Sequence, residues 1–159
     1  MMSFKEYLME AQAGTYAAVR PSKEDGDKIQ KFMGLHNIPN PEPTDKLHAT
    51  LLYSRKHLPD YEPDTTLVHD AKIDSLEVWN TKSGKNCLVA KITSPSLANR
   101  YTKLMAEHGA TAEYSEFKPH ISLSYDIGNF DISKLKVSQL PKSLKMTDEY
   151  KEALDTNGK

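Results

Sequence analysis

The stretch Lys46-Leu47-His48-Ala49-Thr50-Leu51-Leu52-Tyr53 returns 72 residues later as Lys118-Pro119-His120-Ile121-Ser122-Leu123-Ser124-Tyr125. Both copies fit Lys-x-His-x-(Thr/Ser)-Leu-x-Tyr, and both read as strands. An internal repeat of this kind implies two lobes built alike. Along a strand, alternate side chains point to opposite faces. His48 and Thr50 therefore share one face, and so do His120, Ser122 and Ser124. Ala49, Leu51 and Tyr53, like Ile121, Leu123 and Tyr125, belong on the opposite, core-facing side. Two such strands lying together bring two imidazoles and two hydroxyls to one spot.

Each copy follows a helix and a loop. Ahead of the first, Thr15–Val19 reads as a strand and Ser22 caps a helix over Lys23–Leu35, with Ile29, Phe32, Met33 and Leu35 facing the core. The three prolines in residues 37–45 force a loop before a strand over Leu47–Ser54. Val68–Asn80 and Cys87–Thr93 form a strand pair joined by a turn at Thr81–Lys85. Ser94-Pro95 then opens a second helix, with Ser as the cap and Pro in the first turn, and Gly109 closes it. The second motif strand is His120–Tyr125, and Leu144–Leu154 fits either a last strand or a charged helix, with a strand through about residue 150 preferred. The order is β-α-β, then β-β-α-β, then β. This is an α+β fold of two pseudo-symmetric β/α lobes, whose antiparallel sheets form a central cleft. Residues 1–12 are expected as an N-terminal helix or tail (Ser3–Ala11 has capping-box spacing), 13–155 as one bilobal domain, and 156–159 as a flexible tail.

Bulk composition narrows the function. The net charge is −1 with His neutral, which argues against a long nucleic acid and leaves room for a small anionic ligand held by local cations. The single cysteine, Cys87, makes no intrachain disulfide and no cysteine-rich metal site. No stretch approaches the ~18 apolar residues of a membrane span, and the N-terminus lacks the apolar core of a secretory signal. The expectation is a cytoplasmic protein with no membrane partner, no cofactor and no metal.

The paired motif carries the chemistry. One neutral imidazole takes a proton from an attacking oxygen, and one protonated imidazole gives a proton to a leaving oxygen. An ordinary His pKa of ~6.5 lets both forms coexist near neutrality. Thr50 and Ser122 donate to non-bridging phosphate oxygens. Trp79 shares a strand face with Ile73, Ser75 and Glu77, a polar setting that suits a cleft position. Lys46 and Lys118 precede each histidine by two residues and share its face, where they can attract phosphate.

At these residues the chain resembles the 2H phosphoesterase superfamily, marked by two His-x-Thr/Ser motifs on facing strands of similar lobes. Within it, Ala13–Val19, His48-Ala49-Thr50, Trp79, His120-Ile121-Ser122 and Asp148-Glu149 most resemble the phage anti-CBASS nucleases, which degrade cyclic di- and trinucleotide alarm signals. Ser122 stands where threonine is common, and it keeps the hydroxyl. The resemblance implies that Tyr16 and Trp79 stack on bases and that Glu149 contacts a base. It also implies a reaction in which the ribose 2′-hydroxyl attacks, a 2′,3′-cyclic phosphate forms, and a linear 3′-phosphate is released. Two other functions fit the residues: an RNA-end 2′,3′-cyclic phosphodiesterase or 2′-5′ RNA ligase-like enzyme, and a sponge that binds cyclic nucleotides without cutting them. Leu8-Met9-Glu10 also resembles the end of the capsid-targeting peptides of T4-type phages.

Overall fold

The computed structural model describes residues 14–111 and 116–154. The expected N-terminal helix and C-terminal tail lie outside them. Six strands, β1 (Thr15–Pro21), β2 (Ala49–Ser54), β3 (His69–Asn80), β4 (Asn86–Thr93), β5 (His120–Ser124) and β6 (Leu144–Ala153), are joined by two helices, α1 (Lys23–Leu35) and α2 (Pro95–His108). The strands pair antiparallel in the closed order β1-β2-β5-β4-β3-β6. The last segment, ambiguous in charge pattern, is a strand because β6 pairs with both β1 and β3 and so closes the ring.

Local chemistry sets the helix ends. The Ser22 hydroxyl accepts from the Asp25 N–H at the start of α1, and that of Ser94 accepts from the Leu97 N–H at the start of α2. Gly109 ends α2 at φ 61°, a left-handed conformation that a side chain would strain. Asp25 also accepts from the Lys145 N–H at 2.7 Å, tying α1 to β6.

The core lies between the helices and one face of the strands. Ile29, Phe32 and Met33 of α1 and Leu97 and Leu104 of α2 are buried in one cluster with Ala17, Val19, Leu51, Leu52, Leu88, Ala90, Ile121 and Leu123. A ring of only six strands has no room for a helix inside. The helices therefore cover the outside, and the inner face is left for Ala18, Val89 and the motif side chains. The ring is thinnest where the lobes meet, because β2 and β5 share a single pair, Ala49 with Ile121.

Simple alternation fails at four register shifts, one of them on β6 at Asp148-Glu149, between the partners of Ala18 and Arg20. Ala17 pairs with Leu52 but Ala18 with Thr50, so Leu51 is the extra residue. Leu51 and Leu52 are both 1% exposed, and Tyr53 turns to the inner face beside Tyr16, ring centroids 6.4 Å apart. In the second copy, Leu88 pairs with Ser124 and Val89 with Ser122, so Leu123 is extra. Ser124 is thereby buried, donating to the Pro39 carbonyl at 2.7 Å, and Tyr125 emerges on the site side. The expected core placement of Tyr53 and Tyr125, and of Ser124 with His120, is corrected accordingly. A third shift at Asp74 separates buried Ile73 from Ser75, Glu77 and Trp79.

Candidate active site

The seam between β2 and β5 sets the site. With Ala49 opposite Ile121, antiparallel register puts His48 across from Ser122 and Thr50 across from His120. The four predicted motif side chains therefore meet on one face. The two imidazoles are close enough that the charge of His48 disfavours charge on His120.

Both imidazoles are aimed by the backbone in the same way. Nδ1 of His48 lies 2.9 Å from the carbonyl oxygen of Lys46, and Nδ1 of His120 lies 3.3 Å from that of Lys118. A carbonyl only accepts, so each Nδ1 carries a proton and donates it. Nε2 of each ring is left for chemistry: a lone pair when neutral, a proton when charged.

In the first lobe, the Tyr16 hydroxyl lies 2.9 Å from the Thr50 hydroxyl, and its ring meets His48 edge-on at 6.4 Å. Burial, partly offset by Thr50, pushes the Tyr16 phenol up to about 12, so it remains protonated at neutral pH. A cavity of about 680 Å³ opens beside His48, lined by Tyr16, Arg20, Glu42, Asp45, Lys46, Asp148, Tyr150 and Glu152. Arg20 pairs with Asp148 at 2.7 Å and stacks over the Tyr150 ring at 3.9 Å. In the second lobe, Trp79 covers His120 with ring centroids 4.6 Å apart. Its indole N–H donates to Glu77 at 3.1 Å, and Glu77 pairs with Lys91, the strand neighbour of His120. Burial holds the His120 pKa below the usual histidine value. The Lys118 carbonyl opposes that fall and the charge of His48 adds to it.

The lobes match residue for residue. Ala18 lies opposite Thr50 as Val89 lies opposite Ser122. Two positions back stand Tyr16 and Cys87, and two positions on stand Arg20 and Lys91. Arg20, Lys91, Tyr125, Tyr150 and Glu152 were missed at the sequence level. Alternation along β1 and β4 would have found Arg20 and Lys91, whereas bulges on β5 and β6 deliver Tyr125, Tyr150 and Glu152.

Three further expectations separate here. Lys46 lines the cavity. Lys118 does not join it, and its ammonium pairs with Glu116 at 3.7 Å on the open surface. Glu149 is 2% exposed and fully engaged. Its carboxylate accepts two bonds from Arg100 at 2.9 and 2.8 Å, one from the Tyr61 hydroxyl at 2.8 Å and one from the Asp64 N–H at 2.9 Å. Burial alone would raise its pKa, but these donors outweigh burial and hold it below the usual carboxylate range. The expectation that Glu149 contacts a base is therefore corrected. The carboxylates of the same strand that reach the cavity belong to Asp148 and Glu152.

Comparison with known proteins agrees with this geometry. The folds of two solved structures are similar: a phosphoesterase (TM-score 0.55, 18% identity, 93% of this chain and 92% of that one) and E. coli LigT complexed with 3′-AMP (TM-score 0.53, 17% identity, 89% and 87%). At the sequence level, the anti-CBASS protein Acb1 of Acinetobacter phage Ac42 is 37% identical over 96% of this chain and 98% of its own length. The Acb1 proteins of Vibrio phage KVP40 (35% identical; 93% and 91%) and Enterobacteria phage T4 (35%; 97% and 94%) are similar to it as well. The family model described as anti-CBASS protein Acb1 matches residues 13–159. With two matched His-x-Thr/Ser strands on a phosphoesterase fold, and that likeness along nearly its whole length, the chain belongs to the Acb1 family of anti-CBASS proteins.

Proposed function

We propose that this chain cleaves the 3′-5′ phosphodiester bonds of cyclic di- and trinucleotides by general acid–base catalysis at the two motif histidines. One observation carries the reading. Two imidazoles meet at one seam, each with Nδ1 spent on a backbone carbonyl, which leaves Nε2 for proton transfer. Membership in the Acb1 family supports cyclic oligonucleotides as the substrate class.

His120, kept neutral by burial, takes the proton of the ribose 2′-hydroxyl at Nε2 as that oxygen attacks phosphorus. His48 gives its Nε2 proton to the departing 5′-oxygen. A 2′,3′-cyclic phosphate forms, and water then opens it with the two histidines in exchanged roles, leaving a linear 3′-phosphate. Thr50 and Ser122 donate to the non-bridging oxygens as charge builds there. Trp79 offers its exposed face to one base, and Tyr16 with the adjoining cavity receives another. Lys46 and Arg20 supply positive charge at the cavity wall.

The test is incubation with 3′,3′-cyclic dinucleotides, cyclic trinucleotides and RNA 2′,3′-cyclic phosphate ends, in EDTA, with products separated by chromatography. Turnover of the cyclic signals to linear 3′-phosphates is the expected result. Turnover of RNA ends alone, or tight binding without products, would overturn the reading.

A further inference from the structure

We propose that Tyr125 is a positioning residue of the reaction, its phenol holding the Ser122 hydroxyl in the second lobe as Tyr16 holds the Thr50 hydroxyl in the first. This rests on the phosphodiester reading above and extends it to a residue outside the repeated His-x-Thr/Ser core.

The inference starts from the internal symmetry. In the first lobe the phenol that serves Thr50 comes from β1, two residues before Ala18. The matching place in the second lobe, two residues before Val89, holds Cys87. A thiol donates weakly and its side chain is short, so it does not replace a phenol as donor. The bulge at Leu123 supplies the substitute by turning Tyr125 onto the inner face. There the Tyr125 phenol lies near the Ser122 hydroxyl, with Cys87 close to both. The Tyr125 phenol also senses Tyr16 and Tyr150 of the other lobe, so it sits at the cleft.

The chemistry follows from hydrogen-bond direction. A hydroxyl that accepts a bond from a phenol points its own proton elsewhere, here towards the phosphate. A chain of donors also polarises each member towards the next. Burial raises the Tyr125 phenol above its ordinary pKa, so the group stays a donor. Without it, the Ser122 hydroxyl rotates among several acceptors and is misdirected for part of the time.

Tyr125→Phe removes the hydroxyl and keeps the ring. Rates are measured on whichever of the cyclic dinucleotide, the cyclic trinucleotide and the RNA 2′,3′-cyclic phosphate end the wild type cleaves. Failure of the substrate class then leaves the tyrosine test standing. We expect kcat to fall about 5- to 15-fold, the scale of one lost hydrogen bond. KM and the affinity for a non-cleavable 2′-deoxy cyclic dinucleotide should stay within about twofold, because the ring remains and the altered bond is made only in the transition state. The double variant Tyr125→Phe/Ser122→Ala should be no slower than Ser122→Ala, since the phenol then has no hydroxyl to direct. An unchanged kcat, a loss confined to binding, or a multiplicative loss in the double variant would each overturn the proposal. Absence of any turnover by the wild type would overturn both this role and the phosphodiester reading.

Discussion

Trp79 lies across His120 with ring centroids 4.6 Å apart, so one indole both buries the imidazole and presents its outer face to the cleft. Two effects are expected from Trp79→Ala. Loss of a stacked base should cost about 1–3 kcal/mol of binding, read as a rise in KM or in the Kd of a 2′-deoxy analogue. Unburying His120 should also move its pKa back up towards the ordinary value. A variant with normal affinity and an unshifted pH profile would contradict both.

The pH dependence of the wild type follows from the same burial. In the proposed reaction His120 is the base and works in its neutral form, and its pKa is depressed. The acidic limb of kcat/KM should therefore fall below the ~6.5 of a free histidine, and in Trp79→Ala it should shift upward. Steady-state rates across about pH 4.5–8.5 on one substrate, roughly two units either side of that value, measure this directly.

Replacing either motif histidine should be severe. His48→Ala and His120→Ala are each expected to lose at least ~10²-fold in kcat, the contribution of a positioned acid or base. A substrate with a 2′-deoxy ribose at the scissile linkage should resist the wild type. Equal cleavage of the deoxy compound would transfer the attack to an external water.

Glu149 should separate stability from activity. Glu149→Gln leaves the largely covered Arg100 guanidinium without its anion, and urea unfolding at pH 7 should report a loss of about 3–5 kcal/mol. The folded pKa of Glu149 is depressed, so its stabilisation is present above the ordinary carboxylate value and lost as pH falls. The difference between wild type and variant should therefore shrink below about pH 4.3. Well below the melting temperature kcat/KM should hardly change, because this carboxylate does not reach the cavity.

The two repeat lysines are expected to diverge. Lys46→Ala, at the cavity wall, should raise KM in a salt-dependent way, whereas Lys118→Ala, paired with Glu116 in solvent, should leave kinetics unaltered. Equal effects would mean that the substrate reaches further across the second lobe than the cavity extends.

The repeat made the architecture legible. Period-two alternation identified the motif strands, Ser22 and Ser94 announced the helix starts, and the 72-residue offset implied matched lobes with His48, Thr50, His120 and Ser122 on one face. What escaped was decided by pairing between distant strands. The bulges at Leu51, Leu123 and Asp74 appear in no local pattern, because each depends on how two strands register, and each reverses every face assignment beyond it. Glu149 was misassigned for a related reason. Its partner Arg100 is 49 residues away on α2, and nothing in Asp148-Glu149 distinguishes a solvated pair from one solvated and one buried carboxylate.

The latch between each Nδ1 and a main-chain oxygen has a further consequence. In many acid–base sites a carboxylate side chain aims the imidazole, and one mutation can undo that aim. Here the aiming group is the peptide bond of Lys46 and of Lys118, which survives any substitution at those positions that preserves the turn into the strand. Lysine can be exchanged there, and the surrounding wall rebuilt, while the two imidazoles keep their aim. The orientation of the imidazole pair is thus insulated from sequence drift in the walls around it.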